Sequence, residues 1–191
     1  RISKLQYQPL EILRKHLIHV KTPINRLKKI PVIKGENGIS LTPITEKDIP
    51  AYNRLCLDDE RNRWWGYDYR ADCPRPKRDY FYKDQKKDFA NRMAMNFAIR
   101  KDGKFLGEVI LYNFDFRGGA EIGVRILPAA DGQKLGRYAF SLMANYAIYT
   151  LELVQINGKC LKENVASAKM LSSVMQKVGE DETYYYFRKI V

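Results

Sequence analysis

The sequence is poor in cysteine and histidine and has no long apolar run. These absences exclude several classes of protein. Its 191 residues include three cysteines and two histidines. Three cysteines without metal-ligand spacing exclude a disulfide-built scaffold and favour a reducing, cytoplasmic compartment. No stretch approaches the roughly 18 apolar residues that span a bilayer, and no signal-peptide pattern opens the chain. We therefore expect a protein of the cytoplasm, without a metal and without membrane attachment.

The overall amino-acid composition is that of an ordinary globular domain. Hydrophobic residues make up 45% of the chain and charged residues 29%, which is enough apolar surface for one core of normal size. The chain opens at Arg1 without an initiator Met. We therefore expect a processed chain or a piece of a longer protein, and an additional N-terminal domain and a homodimer both stay open.

The positive charge is concentrated at the N-terminus. The whole chain carries +12, of which residues 1–34 contribute +8 and the other 157 residues +4. Apolar residues recur at helical spacing over 10–20, and a glycine-containing turn follows at 35–38. We predict a basic helical extension or linker over 1–38 and the main domain over 39–191. Nucleic-acid binding by the basic arm stays an alternative, although the apolar stripe of the arm favours packing on the main domain.

From residue 39 the pattern alternates between strands and helices, which predicts an α/β domain with one sheet. An Asp-Gly pair at 102–103 between two alternating apolar runs predicts a hairpin. Thr45, with Asp48 three residues later, predicts a helix start. The predicted elements are a strand at 39–42, helices from 45 toward 61 and at 79–93, strands at 96–100, 105–111 and 120–126, a helix at 134–151, a strand at 154–161, a helix at 165–174 and a strand at 184–191.

The join between the strand 120–126 and the following helix carries the strongest functional signal. A glycine-containing loop on a helix N-terminus presents unpaired backbone amides and the positive end of the helix dipole, which suit a phosphate. Lys134 and Arg137 add positive charge at the same place. The alternative is a plain turn whose glycines occupy positions of positive φ.

Four motifs in the chain resemble those of the GNAT N-acetyltransferases, in the order that family has them. Residues 120–139 resemble its acyl-CoA-binding motif, and 162–171 resemble the Asn-x-x-Ser helix of the RimJ/RimL-type branch. Residues 181–187 resemble the closing strand, and 41–48 are typical of the opening of that branch. The resemblance implies a mixed, mostly antiparallel twisted sheet that is splayed at its centre and flanked by helices. It also implies transfer of an acetyl group from acetyl-CoA to a primary amine, on a small molecule or a protein N-terminus, by direct attack.

The resemblance assigns the cofactor contacts to the end of the strand 120–126, to the loop after it and to the Asn-x-x-Ser helix. The residues so implied are Ile126, Gly132, Gln133, Lys134, Leu135, Gly136, Arg137, Asn164 and Ser167. The family loop reads Arg/Gln-x-x-Gly-x-Gly/Ala, and the aligned positions here are Asp131, Lys134 and Gly136, so only the last matches. A non-catalytic acyl-CoA-binding regulatory module of a larger protein is therefore an alternative.

Three side chains are candidates for the proton chemistry. The resemblance implies a carboxylate on a central strand as a base acting through water, which is Glu121 or Glu108 here. Either could instead form an ion pair, with Arg125 or Arg100 for example. The tyrosine that many relatives use as the acid aligns with Leu171 and is absent, so the resemblance implies Ser167 in that role.

An aromatic segment after the first helix is the candidate acceptor wall. Trp64, Trp65, Tyr67 and Tyr69 lie close together in the sequence, in the region that forms the acceptor wall in GNAT folds. The alternative is that these rings close the core over the first two helices.

Overall fold

The computed structural model describes residues 23–65, 73 and 75–190. The predicted helix at 10–20, Tyr67 and Tyr69 lie outside these ranges. The strands are β1 (Ile33–Lys34), β2 (Ile39–Pro43), β3 (Ala94–Lys101), β4 (Lys104–Tyr112), β5 (Gly119–Ile126), β6 (Gln155–Leu161), β7 (Gln176–Glu180) and β8 (Tyr184–Ile190). The α-helices are α1 (Ile49–Cys56), α2 (Asp59–Trp65), α3 (Tyr80–Ala90), α4 (Leu135–Tyr149) and α5 (Val165–Ser172).

The eight strands form one sheet in the order β1-β2-β3-β4-β5-β6-β8-β7. Every neighbouring pair is antiparallel except β5 and β6, which are parallel. The predicted hairpin is confirmed as β3–β4, with Asp102 at φ 51° and Gly103 at φ 81° in its turn. Both turn residues have the positive φ that a type I′ turn requires. The predicted mixed, mostly antiparallel sheet flanked by helices is therefore confirmed.

Helices cover the two faces of the sheet and divide its side chains between two environments. On one face, Phe97, Val109 and Ile122 are buried in a core that includes Phe140 of α4 and Leu171 of α5. The opposite face of β3 and β4 carries a smaller cluster that α1 and α3 complete. Its buried members are Ile44, Tyr52, Cys56, Phe81 and Ala98. Since strand side chains alternate between faces, each residue's position on its strand decides which environment it meets.

The helix start predicted at Thr45 is confirmed, and its predicted run toward Arg61 is wrong. Asp48 Oδ2 accepts hydrogen bonds from the amide and the hydroxyl of Thr45 at 2.7 and 2.8 Å. A 3-10 turn (Glu46–Asp48) leads into α1, which ends at Cys56. The chain then restarts as α2, because Asp58 Oδ1 accepts from the Arg61 amide at 2.9 Å and caps a new helix.

Two short edge strands were not among the predicted elements. β7 is a mostly exposed strand with no alternating apolar pattern, so it gives no periodic signal. β1 adds to the other edge, where Ile33 pairs with Leu41, and Ile24 is fully buried in the main core. Residues 23–34 therefore contact the main domain, and the division of the chain at residue 38 stays a prediction.

A partly buried carboxylate on α3 makes the stability of the protein dependent on pH. Burial, followed by the charge of Asp84, raises the pKa of Asp88 from 3.8 to about 6. The unfolded chain releases this proton near pH 4 and the folded chain near pH 6. The free energy of unfolding therefore falls as the pH rises between these values, and the loss is complete above pH 6.

Asp88→Asn is expected to raise the free energy of unfolding by about 1–3 kcal/mol at pH 8 and to leave it unchanged near pH 4. The amide carries no charge that burial could penalise. Urea unfolding at the two pH values measures the difference, with the exposed Glu182→Gln as the control. An equal effect of Asp88→Asn at both pH values would contradict the assignment.

Candidate active site

An opening at the centre of the sheet, between β5 and β6, is the most distinctive feature of the fold. The two strands pair at only three positions, and the last of these joins Glu121 to Asn157. Beyond it, β5 runs on to Ile126 and β6 to Leu161 without pairing to each other. Leu127 N donates to Leu106 O across the β4 pair at 2.8 Å. Strand alternation therefore turns the backbone groups of Ile126 toward the opening.

The N-terminus of α4 stands beside this opening with unsatisfied amides. The helical bonding begins with Tyr138 N, which donates to Lys134 O at 3.1 Å. The amides of residues 135–137 precede it and have no intrahelical acceptor. Lys134, at the cap position, adopts the left-handed conformation with φ 56°, and no side chain of the described residues caps the helix there. The helix end is thus free to bind an anion.

The loop that leads into α4 brings the predicted cofactor residues together. Gly132 takes a positive φ of 75°, and a Cβ on Gly136 would approach only Ile126, at 3.5 Å and beyond. Leu135 is buried and anchors the helix start in the core. The exposed members of the group are Gly132, Gln133, Lys134 and Arg137, and the last three have polar side chains that are available to a ligand.

Arg61 is a residue of this region that sequence reasoning missed. It lies on α2, and its guanidinium forms an ion pair with Asp131 in the loop. The Arg61 side chain is 18% exposed, so the pair is partly shielded from water. Asp131 occupies the position where the family motif has Arg or Gln, and Arg61 offsets its negative charge beside the α4 N-terminus.

Asn164 and Ser167 lie on the other side of the opening, at the start of α5. Asn164 Oδ1 accepts a hydrogen bond from Ser167 N at 3.0 Å and caps the helix. The Ser167 hydroxyl is hydrogen-bonded to the thiol of Cys160 on β6. Burial raises the pKa of Cys160, and the bond to Ser167 opposes that rise. Because Cys160 and Leu171 belong to the main core, Ser167 lies on the same face of the sheet as α4.

The two candidate carboxylates have very different surroundings. Glu108 is fully buried, and its Oε1 accepts from the Tyr52 hydroxyl at 2.6 Å and from Asn96 Nδ2 at 2.7 Å. Its Oε2 accepts from Arg125 Nε at 2.8 Å. The ion pair with Arg125, which the sequence left open as an alternative, is therefore present at Oε2, and Tyr52 and Asn96 occupy Oε1.

Glu121 instead has an oxygen with no partner. Its Oε2 is buried and accepts no hydrogen bond from any described residue. Its neighbours on β5, Ala120 and Ile122, belong to the main core on the α4 face, so Glu121 points to the opposite face. There it lines a pocket of about 440 Å³. The pocket also includes Asp115, Arg117, Asn157, Lys159, Tyr186 and Arg188.

Trp65 lies on the same face of β5 as Glu121. Its ring comes within 3.0 Å of the position that a Cβ on Gly123 would occupy. The guanidinium carbon of Arg125 stands 4.5 Å from the Trp65 ring centroid. Trp64 contacts the guanidinium of Arg63 instead, at 4.6 Å. Both rings are half-buried, and Trp65 lies against the strand that carries Glu121.

The described part of the chain has neither a metal-binding group nor a helix that could cross a membrane. Within those ranges, no group of three or more His, Cys, Asp or Glu side chains is placed to hold a metal ion. The helices of the described part of the chain are also too short or too polar to cross a bilayer.

Solved structures with the same fold include several acetyltransferases. RimL, a ribosomal L7/L12 α-N-protein acetyltransferase solved with coenzyme A, aligns with a TM-score of 0.70 at 14% identity, over 84% of this chain and 98% of its own. Mycobacterium smegmatis RimJ aligns at 0.69 and 17%, over 84% and 86%. Vibrio cholerae spermidine N-acetyltransferase, with CoA and spermine, aligns at 0.68 and 14%, over 80% and 95%. These likenesses show the fold, and no curated protein sequence matches the chain.

The acetyltransferase (GNAT) domain family matches residues 39–179, which is most of the chain. The match includes β5, the loop before α4, and the start of α5, where the opening in the sheet lies. The chain therefore belongs to the acetyltransferase (GNAT) domain family.

Proposed function

We propose that this protein transfers an acetyl group from acetyl-CoA to a primary amine, as an enzyme of the RimJ/RimL-type branch. The opening between β5 and β6 is the main support for this proposal, because a candidate cofactor site lies on one face of the sheet there and a candidate acceptor site on the other. One face of the sheet presents the uncapped N-terminus of α4. The other presents the pocket with the unpartnered oxygen of Glu121. When bound, acetyl-CoA supplies the thioester carbonyl that the acceptor amine attacks.

The residues around the opening fit the chemical groups of acetyl-CoA. The free amides of residues 135–137 suit the pyrophosphate, and the exposed Lys134 and Arg137 add positive charge. Backbone groups of Ile126 at the open edge of β5 suit the amides of the pantetheine arm. Asn164 holds the start of α5 on the far side. Arg61, by pairing with Asp131, keeps that carboxylate from repelling the phosphates.

Glu121 and Ser167 serve as base and acid in this proposal. The amine must lose a proton, and the Glu121 carboxylate on the acceptor face accepts it through water. The departing thiolate must gain a proton, and in this proposal the Ser167 hydroxyl on the α4 face donates it. Glu108 is not used, because all of its bonding capacity serves Arg125, Tyr52 and Asn96.

Trp65 forms part of the acceptor wall in this proposal, since it contacts β5 on the face of Glu121. Trp64, Tyr67 and Tyr69 stay proposed members of that wall. We further propose a cytoplasmic location, which the three free cysteines support.

Acetyl-CoA is expected to raise the midpoint of thermal unfolding. A ligand that binds only the folded state stabilises it by about 2.7 kcal/mol at a hundredfold excess over its dissociation constant. Differential scanning fluorimetry with acetyl-CoA, free CoA and ATP makes the measurement. Both CoA species should give a shift, and ATP should give none.

A charge-removing variant locates the binding site in the same experiment. Lys134→Asn keeps a residue that tolerates the left-handed conformation and should reduce the shift. Lys169→Asn, an exposed lysine of α5, is the matched control and should not. The absence of any shift at millimolar acetyl-CoA would contradict the proposed function.

A further inference from the structure

The pocket around Glu121 contains three cationic side chains without an acidic partner. Arg117, Lys159 and Arg188 all line it. None of the three forms an ion pair with a carboxylate of the described residues. Arg188 Nε donates to the amide oxygen of Asn157 at 3.2 Å, and Lys159 stands over the ring of Tyr184 at 5.4 Å. These cations are held in place by neutral groups and keep their charge available.

The carboxylates near these cations are already engaged, with one exception. Asp115 lines the pocket, and its Oδ1 accepts from the amides of Arg117 and Gly119 at 2.7 and 2.9 Å. Asp181 accepts from the hydroxyl of Tyr186, a further lining residue, and from two backbone amides. Glu121 Oε2 is the exception, since no described group donates to it. The lining groups thus carry two negative charges, on Asp115 and Glu121, against the three positive ones, and Glu121 Oε2 is a buried acceptor without a described donor.

The strand order places Glu121 and Arg188 at opposite sides of the pocket floor. Glu121 pairs with Asn157 on β6, and Asn157 pairs with Arg188 on β8. Adjacent strands lie about 4.8 Å apart, so the backbones of Glu121 and Arg188 are roughly 10 Å apart. Long side chains reach inward from both ends of that span. An acceptor that uses both ends must carry its amine and its anionic group a few bonds apart.

We propose that the acceptor is an amine whose own molecule carries an anionic group, as in an acidic dipeptide or an acidic peptide N-terminus. This inference rests on the proposed function, because it assigns the amine to Glu121. The anionic group lies against Arg117, Lys159 and Arg188, none of which forms an ion pair with a described carboxylate. A polyamine would place further positive charge against these three cations, which costs binding free energy.

Three tripeptides that differ in the charge of one side chain, with two further amines, test this proposal. The peptides Ala-Asp-Ala amide, Ala-Ala-Ala amide and Ala-Lys-Ala amide share one N-terminal amine, and the dipeptide Ala-Asp and spermidine extend the set. Calorimetry on the CoA-loaded protein measures binding without requiring turnover, and initial rates give kcat/KM. We expect the Asp peptide to bind about fivefold tighter than the neutral one, and the Lys peptide and spermidine to bind more weakly. Comparing Ala-Asp with the Asp peptide separates a free small molecule from a peptide terminus.

Two single substitutions test whether a preference for the acidic peptide arises from the cations of the pocket. Lys159→Gln and Arg117→Gln change exposed side chains, so neither should disturb folding. Each should weaken binding of the Asp peptide about twofold, its share of the fivefold preference, and leave that of the neutral peptide unchanged. Lys169→Gln, on α5 at the opposite face, is the matched control and should change neither.

The outcomes distinguish this inference from the function on which it rests. Equal binding of the acidic and neutral peptides, tighter binding of spermidine, or no binding of any acceptor would each overturn the inference. If CoA still binds and neutral amines are acetylated, the proposed function survives that result. If CoA itself fails to bind, the proposed function fails first.

Discussion

Glu121→Gln is expected to lower kcat/KM for amine acetylation by about 10²- to 10⁴-fold, the range that general-base catalysis contributes. Glutamine keeps the size of the side chain and removes its capacity to accept a proton. Because Oε2 of Glu121 has no hydrogen-bond partner among the described residues, the substitution breaks no hydrogen bond at that oxygen. The variant should therefore unfold at the wild-type temperature or above it, and it should still bind CoA.

The control for this prediction is the same substitution at an exposed glutamate. Glu182→Gln lies at the turn before β8, outside the pocket, and should retain wild-type kcat/KM. Steady-state rates and thermal unfolding of both variants give the comparison. Unchanged kcat/KM in Glu121→Gln would remove Glu121 from the role of base. A large loss of stability would instead mark it as a structural residue.

Elements with a local signal could be predicted from the sequence. The β3–β4 hairpin depends on two adjacent residues, Asp102 and Gly103, and both take the positive φ that their types allow. The strand–loop–helix join before α4 is local in the same way. The restart of the chain at α2 was missed, because Asp58 caps a new helix inside a stretch that otherwise continues a helical pattern.

Long-range pairs could not be predicted, because no local pattern encodes them. Arg61 and Asp131 are 70 residues apart in the chain, and only the folding of α2 onto the α4 loop brings their charges together. The choice between Glu108 and Glu121 is of the same kind. Both are glutamates on central strands, and the register that sets Glu108 opposite Arg125 gives one of them a partner. The sequence could name this pair as an alternative but could not select it.

Glu108 lies in a buried network of hydrogen bonds, so a substitution there is expected to change the stability of the protein. Glu108 and Arg125 have side chains that are 0% and 3% exposed, and Tyr52 and Asn96 donate to the same carboxylate. Neutralising one member of a buried ion pair leaves the other charge uncompensated in a medium of low dielectric constant. Glu108→Gln also turns an amide donor toward the donors of Arg125 or of Tyr52 and Asn96.

Glu108→Gln is therefore expected to lower the free energy of unfolding by about 3–5 kcal/mol, a large share of the stability of an ordinary domain. Urea unfolding measures it. In Glu108→Gln/Arg125→Met no charge is left buried, so part of the loss should be recovered and the two sites should couple in a double-mutant cycle. If Glu108→Gln is fully stable and loses only activity, the assignment is wrong. Glu108 is then the base, and Glu121 has no catalytic role. The two glutamates thus separate stability from catalysis, because the same substitution at each should affect one quantity and spare the other.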